Sequence, residues 1–285
     1  GDIIIDDVIY VGLDNKLIIK AGSTISMQEG GVLYIDGGSI EMRGTHEEPI
    51  IIKGNNKGSV FIKNSDNVIL SHVKVYSLTT CCGENSWTTG SFTIYKSNAK
   101  LEHVDFLDHD IEDTLHVAES TIYGNNISFI NSYSDGFDSD NSKVTLINVS
   151  ATNINGDGFD FFKSNATVED FTLSNIFDKG FSVGENSNVY LNNGKITSTS
   201  VGFASKDGST LTLDNIHCSE SRYACVLGYK KKQGYDKSKV VIINSDLEGK
   251  IYYTKNSSIQ GTKNSIKVKE KKISKLYKDS FMKKK

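Results

Sequence analysis

A chain of 285 residues that is 37% apolar, with 25 glycines, one proline and a formal net charge of −3, is long enough for one or two domains and lacks the basic body that nucleic-acid binding requires. No run of about 18 apolar residues occurs, so no membrane-spanning helix is expected, and Gly1-Asp2-Ile3 does not open a signal peptide. Four cysteines are too few for a disulfide scaffold. Cys81 and Cys82 are vicinal, and Cys218 and Cys225, seven residues apart, read as buried thiols.

The first sixty residues alternate apolar and polar side chains between Gly and Asn/Asp turns, as in Leu17-Ile-Ile-Lys-Ala-Gly-Ser-Thr-Ile and Gly31-Val-Leu-Tyr-Ile-Asp-Gly-Gly-Ser-Ile. That is a strand-and-turn grammar, and residues 1–57 are read as irregular first coils. Strands continue through Val60-Phe-Ile-Lys and Phe92-Thr-Ile-Tyr-Lys. Between them, residues 78–89 carry Cys81, Cys82 and Trp87 in a stretch too polar and irregular for a strand, predicting a loop that walls one face.

From residue 114 to 223 the chain repeats every 22 residues, with coils opening at Thr114, Gly136, Gly158, Gly180 and Gly202. A fixed period of this size is the mark of a solenoid. The second residue of each coil is bulky and apolar (Leu115, Phe137, Phe159, Phe181, Phe203), which predicts an inward stack. The third runs His116, Asp138, Asp160, Ser182, Ala204, and the residue before each coil runs Asp113, Asp135, Asp157, Lys179, Val201. Strand alternation places Asp138 and Asp160 outward, together with Asp140 and Phe162 two residues further along. The Gly before each Phe is expected at positive φ. Asn126, Asn148, Asp170, Asn193 and Asn215, with Asn131, Asn153 and Asn175, form side-chain ladders read as structural.

The fold class that follows is all-β: one right-handed parallel β-helix of about ten coils, spanning 1–261. Beyond it, residues 262–285 hold ten lysines against Glu270 and Asp279, about +8, which leaves about −11 of the net −3 on the body. A weakly amphipathic helix around Ile273 would cap the open end, and the lysines could contact a polyanion or a membrane surface.

The opening coils resemble those of secreted and surface right-handed β-helices of the pectate-lyase-like superfamily. Ser134-Asp-Gly-Phe-Asp, Gly156-Asp-Gly-Phe-Asp-Phe-Phe-Lys-Ser and Asp178-Lys-Gly-Phe-Ser-Val-Gly resemble the three consecutive signatures of polygalacturonase-type glycoside hydrolases. The resemblance implies that Asp135 matches the aspartate of the first signature and that Asp157 matches the general acid. The second aspartate of the acid pair is replaced by Gly158, the histidine by Lys179, and the downstream Arg-Ile-Lys motif has no counterpart. The Asp178-to-Glu185 turn is closer to β-helix repeat proteins of bacterial surfaces, which implies an extracellular or cell-surface location.

Glycosidases need paired carboxyl groups, and a column of them raises some pKa values or recruits a cation. The candidate catalytic residues are therefore Asp135, Asp157, Asp138, Asp160, His116 and Lys179. Asp113, Asp140, Phe162 and Trp87 are candidates for holding substrate, and Asp135, Asp138, Asp157 and Asp160 are candidate ligands for Ca²⁺. Three functions stay open: a polysaccharide hydrolase or lyase working along the acidic wall, a non-catalytic glycan- or calcium-binding module, and a structural or adhesive solenoid.

Overall fold

The structure, a computed structural model, describes residues 1–80, 89–261 and 268–270. Trp87, Cys81, Cys82 and the residues expected to form a C-terminal helix lie outside the described residues. The strands pair in parallel, and the chain winds as an all-β, right-handed solenoid of about 11 turns. No helix occurs among the described residues.

Each regular coil contributes strand to three sheets. In one coil, Asp113–Ala118 forms a rung of the first sheet, here called the wall. The next strand, Thr121–Ser132, supplies rungs to the other two because it bends at Asn126. The bend requires positive φ, which Asn and Asp tolerate better than other non-glycine residues. Asn126, Asn148, Asp170, Asn193 and Asn215 all have φ between 52° and 57°, and Asn131, Asn153 and Asn175 repeat this at the next corner. Their amides bond from coil to coil: Asn153 Nδ2 donates to Asn131 Oδ1 at 2.9 Å, Asn175 Nδ2 to Asn153 Oδ1 at 3.2 Å, and Asn215 Nδ2 to Asn193 Oδ1 at 3.0 Å. These columns are structural, as their sequence period implies.

The third corner carries a serine ladder. The backbone N–H of Ser65, Ser97, Ser120, Ser142 and Ser164 each donates to the hydroxyl of the next serine, at 3.0 Å every time, and Ser187 to Ser209 at 3.2 Å. All are buried, where an unpaired backbone N–H would cost roughly 1–3 kcal/mol.

Inside, Leu115, Phe137, Phe159, Phe181 and Phe203 occupy one register column and are fully buried. Ring centroids are 5.7 Å apart for Phe137 and Phe159, 5.0 Å for Phe159 and Phe181, and 5.8 Å for Phe181 and Phe203. Such separations suit offset or tilted aromatic pairs.

Two expectations are corrected. The glycines before these phenylalanines are not at positive φ; they are glycines because there is no room. A Cβ on Gly158 would lie 2.7 Å from the carbonyl oxygen of Gly180, and one on Gly180 would lie 2.7 Å from that of Gly202 and 1.9 Å from Ile196 Cδ1. Glycine and phenylalanine therefore both face the core, so that the aspartate before the glycine and the one after the phenylalanine both face out. Cys218 and Cys225 are not thiols: they form a buried disulfide with Cα atoms 6.0 Å apart.

Candidate functional site

The wall's outer face is acidic only in its middle. Above the acidic rungs, Phe61 and Thr93 are buried; below them, Ala204, Leu227, Tyr229 and Tyr252 belong to a second buried apolar cluster outside the solenoid interior. Between these limits lie three outward columns. The first runs Asp113, Asp135, Asp157, Lys179. The second runs His116, Asp138, Asp160, Ser182, and the third Ala118, Asp140, Phe162, Gly184, Lys206.

The first column is closed to solvent, against the expectation of an open groove: Asp113, Asp135, Asp157 and Lys179 are all buried. Asp135 and Asp157 each bind the coil beneath with their carboxylates. Asp135 Oδ1 accepts the N–H of Asp157 at 2.8 Å, and Asp157 Oδ1 accepts that of Lys179 at 3.0 Å. The Lys179 ammonium then takes both oxygens of Asp157, at 2.8 and 3.1 Å, and reaches Asp178 Oδ2 at 2.8 Å. Burial alone would lower the Lys179 pKa, but the charges and hydrogen bonds of Asp157 and Asp178 outweigh it and raise it. Burial, followed by repulsion from Asp157, raises the pKa of Asp178.

The second and third columns are partly open. Asp138, Asp140, Asp160 and Phe162 keep some exposure, whereas His116 is buried with Nε2 3.4 Å from Asp140 Oδ2. No hydrogen bond or ion pair from the described residues reaches the Asp138 carboxyl. Burial, then the charges of Asp113, Asp160, Asp140 and Asp135, push its pKa well above the ordinary carboxylate value. Asp160, directly beneath it in register, has a cationic neighbour instead: Lys206 Nζ lies 3.6 Å from its Oδ1 and donates to Ser182 Oγ at 2.9 Å. Burial works against the charge of Lys206, but the carboxylates of Asp160, Asp157 and Glu185 together outweigh it, and its pKa is raised.

Lys206, Ser182 and Asp178 were not singled out by sequence reasoning. The signal for Lys206 was present, since it stands 22 residues after Gly184 and 44 after Phe162. Gly184 is what lets Lys206 reach upward: a Cβ there would meet Lys206 Cε at 2.5 Å. Phe162, expected to stack on a sugar, has Lys163 Nζ 5.0 Å and Lys232 Nζ 5.8 Å from its ring centroid.

Oxygens of Asp135, Asp157 and Asp160 come within 4.8 Å of one another, which invites a calcium reading. The donors do not fit one. Ca²⁺ requires about six to eight free oxygens, and here both Asp157 oxygens face the Lys179 ammonium while Asp135 Oδ1 holds a backbone N–H.

No family model and no curated protein matches the chain. Among solved structures it is similar to an alginate lyase from Paenibacillus sp. str. FPU-7, with TM-score 0.44 and 11% identity over 85% of this chain and 91% of that one. It is also similar to pectate lyase Pel9A, with TM-score 0.36 and 13% identity over 84% and 70%. The catalytic domain of a GH87 α-1,3-glucanase in complex with nigerose gives TM-score 0.41 and 11% identity over 96% of this chain and 62% of that one. Likeness at this level transfers no residue role and no substrate.

Proposed function

We propose that the protein cleaves glycosidic bonds in an extended polysaccharide laid along the wall, with Asp138 as proton donor and Asp160 as its partner carboxylate. One observation carries this reading: two carboxyl groups that are register neighbours on the same face have unlike surroundings. Asp138 stands among carboxylates on the partly open face with a pKa pushed well above the ordinary carboxylate value, while Asp160 has the Lys206 ammonium 3.6 Å away. Such a divided pair is how acid and base roles are assigned in carboxylate enzymes. Asp138 and Asp160 stand on adjacent rungs, and the retaining scheme requires their carboxyl groups about 5–5.5 Å apart across the bond.

In that scheme Asp138 donates its proton to the glycosidic oxygen as the bond to the leaving sugar breaks, and an Asp160 oxygen bonds to the anomeric carbon. Asp138, now a carboxylate, takes a proton from water as the water oxygen displaces Asp160. Asp157, which the polygalacturonase resemblance makes the acid, instead holds the wall together. The buried Cys218–Cys225 disulfide supports a location in an oxidising compartment, such as the cell exterior.

The test is reducing-sugar release from a panel of neutral and acidic polysaccharides. Asp138→Asn and Asp160→Asn are each expected to lower turnover at least about 100-fold while the protein still folds and melts in a defined transition. In the wild type, turnover should fall as pH rises through the Asp138 pKa, because the proton donor is then lost. Undiminished turnover in Asp138→Asn ends the assignment of Asp138 as proton donor, and no sugar release by the wild type from any polymer ends the enzyme reading. The second reading, a non-catalytic glycan module, is favoured by the capture of Asp157 by Lys179; under it the wild type binds polysaccharide and releases no sugar.

A further inference from the structure

Beyond the first coil, few large apolar side chains are exposed among the described residues, and two of them stand on the same corner. Tyr133 is 63% exposed and Phe177 is 60% exposed, where most aromatics of this solenoid are buried. They are 44 residues apart, so they occupy equivalent positions two coils from each other, with Asn155 in the coil between them. Two coils span about 10 Å, close to the length of one extended disaccharide. Tyr133 and Phe177 each precede a first-column wall residue by two positions, so this corner flanks the acidic face without being part of it.

The corner is built rather than incidental. The Phe177 carbonyl accepts from Ser200 Oγ at 2.5 Å and from Arg222 Nη2 at 3.1 Å, and the Arg222 guanidinium carbon lies 4.7 Å from the centroid of the Phe177 ring. One face of the ring is thus supported. Arg222 itself is tied by its N–H to Thr199 O at 2.8 Å. Around Phe177 the surface forms a hollow of about 460 Å³ lined by Asn153, Asn155, Asn175 and Glu220. Around Tyr133 lies another of about 580 Å³, with Asp108 and Asp110, and the two share Asn153 and Asn155. The Asn155 side-chain amide makes no hydrogen bond within the described residues, which leaves a donor and an acceptor between the two rings.

We infer that this corner is a binding track for a polysaccharide strand free of acidic groups, in which Tyr133 and Phe177 each stack on a sugar ring and the Asn155 amide bonds to hydroxyls between them. Flat aromatic faces match the C–H faces of sugars, and amides match hydroxyls as both donor and acceptor. The exclusion of uronate or sulfated chains comes from charge: Asp108, Asp110 and Glu220 line the hollows against Arg222 alone, beside a wall rich in carboxylates. A polyanion would meet repulsion there. The inference stands on the corner's geometry and does not need the wall to be catalytic.

Affinity electrophoresis tests it, using the Asp138→Asn protein so that no polymer is cut, in gels containing hydroxyethylcellulose, xyloglucan or laminarin, with polygalacturonate as contrast. At least one uncharged polymer should retard the protein. Phe177→Ala and Tyr133→Ala should each weaken that retardation roughly 2- to 10-fold, Phe177→Trp should preserve it, and melting temperatures should not move because both rings are exposed. Retardation by none of the uncharged polymers, retardation by polygalacturonate alone, or an unchanged affinity in Phe177→Ala would overturn the inference. Loss of turnover on Asp138→Asn reports on the wall, so either idea can fail while the other survives.

Discussion

Replacing Lys179 with methionine keeps most of the side-chain volume and removes one buried charge. The ammonium makes three contacts with two buried carboxyl groups, at 2.8 and 3.1 Å to Asp157 and 2.8 Å to Asp178. Taking away one partner of a buried ionic group costs about 3–5 kcal/mol, because the remaining charge has no water to compensate it. The upper part of that range is expected at alkaline pH, since two carboxyl groups are stranded together. Their escape is to bind protons, so in the variant both would have folded pKa values above the unfolded value of about 3.9. A group with a raised folded pKa contributes stability that is present below its unfolded pKa and is lost as pH rises through the folded one. The deficit of Lys179→Met against wild type should therefore be small at pH 4 and largest at pH 8. Urea unfolding midpoints measured at both pH values, with a check for a single transition because solenoids can unfold piecewise, provide the assay. A deficit under about 1 kcal/mol, or one equal at the two pH values, would refute the account of Lys179 as the internal counter-ion of the wall.

Two other outcomes follow from the core. Phe159→Ala removes a fully buried ring that contacts Phe137 and Phe181 and should cost about 3–5 kcal/mol in denaturant unfolding. His109 is buried with its ring nitrogens bonded to Ser91 Oγ and Val75 O, and burial takes its pKa down to about 4. A depressed folded pKa means stability present above the unfolded value near 6.5 and lost as pH falls towards 4, by up to about 3 kcal/mol. Asp138 and Asp178, with raised pKa values, act in the opposite direction over acid pH, so the measurement that isolates His109 is the flattening of the melting temperature against pH in His109→Gln.

Much of the fold was legible because a solenoid writes its geometry as a period. The Phe column, the Asn corners and the outward direction of Asp138 and Asp160 all follow from a 22-residue repeat combined with strand alternation. The glycine before each phenylalanine was legible as necessary but not for the right reason: lack of space against the next coil's carbonyl depends on how closely coils approach, and single-coil turn rules do not contain that. The same limit explains the Lys-Ser pair at Lys163 and Ser164. It reads as part of a polygalacturonase signature, yet Ser164 belongs to a ladder of serines that serves backbone N–H groups. The disulfide was missed because Cys218 and Cys225 fall on either side of a corner, and their spacing of seven residues says nothing of distance until that corner is placed. Lys206 was missed because a lysine's reach carries it away from its own rung.

The wall also explains how a fold tolerates carboxylates stacked on successive strands, an arrangement that ordinarily destabilises a sheet. In the first column Asp135 and Asp157 each bind the N–H of the coil below, and Lys179 closes the series. At the lower end of the second and third columns Lys206 does the same for Asp160, using the space that Gly184 leaves. The upper end has His116 beside Asp140. What these devices do not reach is Asp138, which neighbours Asp113, Asp135, Asp140 and Asp160. At Asp138 burial and the surrounding carboxylates instead push the pKa well above the ordinary carboxylate value. A carboxyl group with a raised pKa on a partly open face is a chemical resource, whereas the buried first column is a structural one. The two roles therefore separate by column rather than by coil: substitutions at Asp135, Asp157 or Lys179 should act mainly on stability, and substitutions at Asp138 or Asp160 mainly on chemistry.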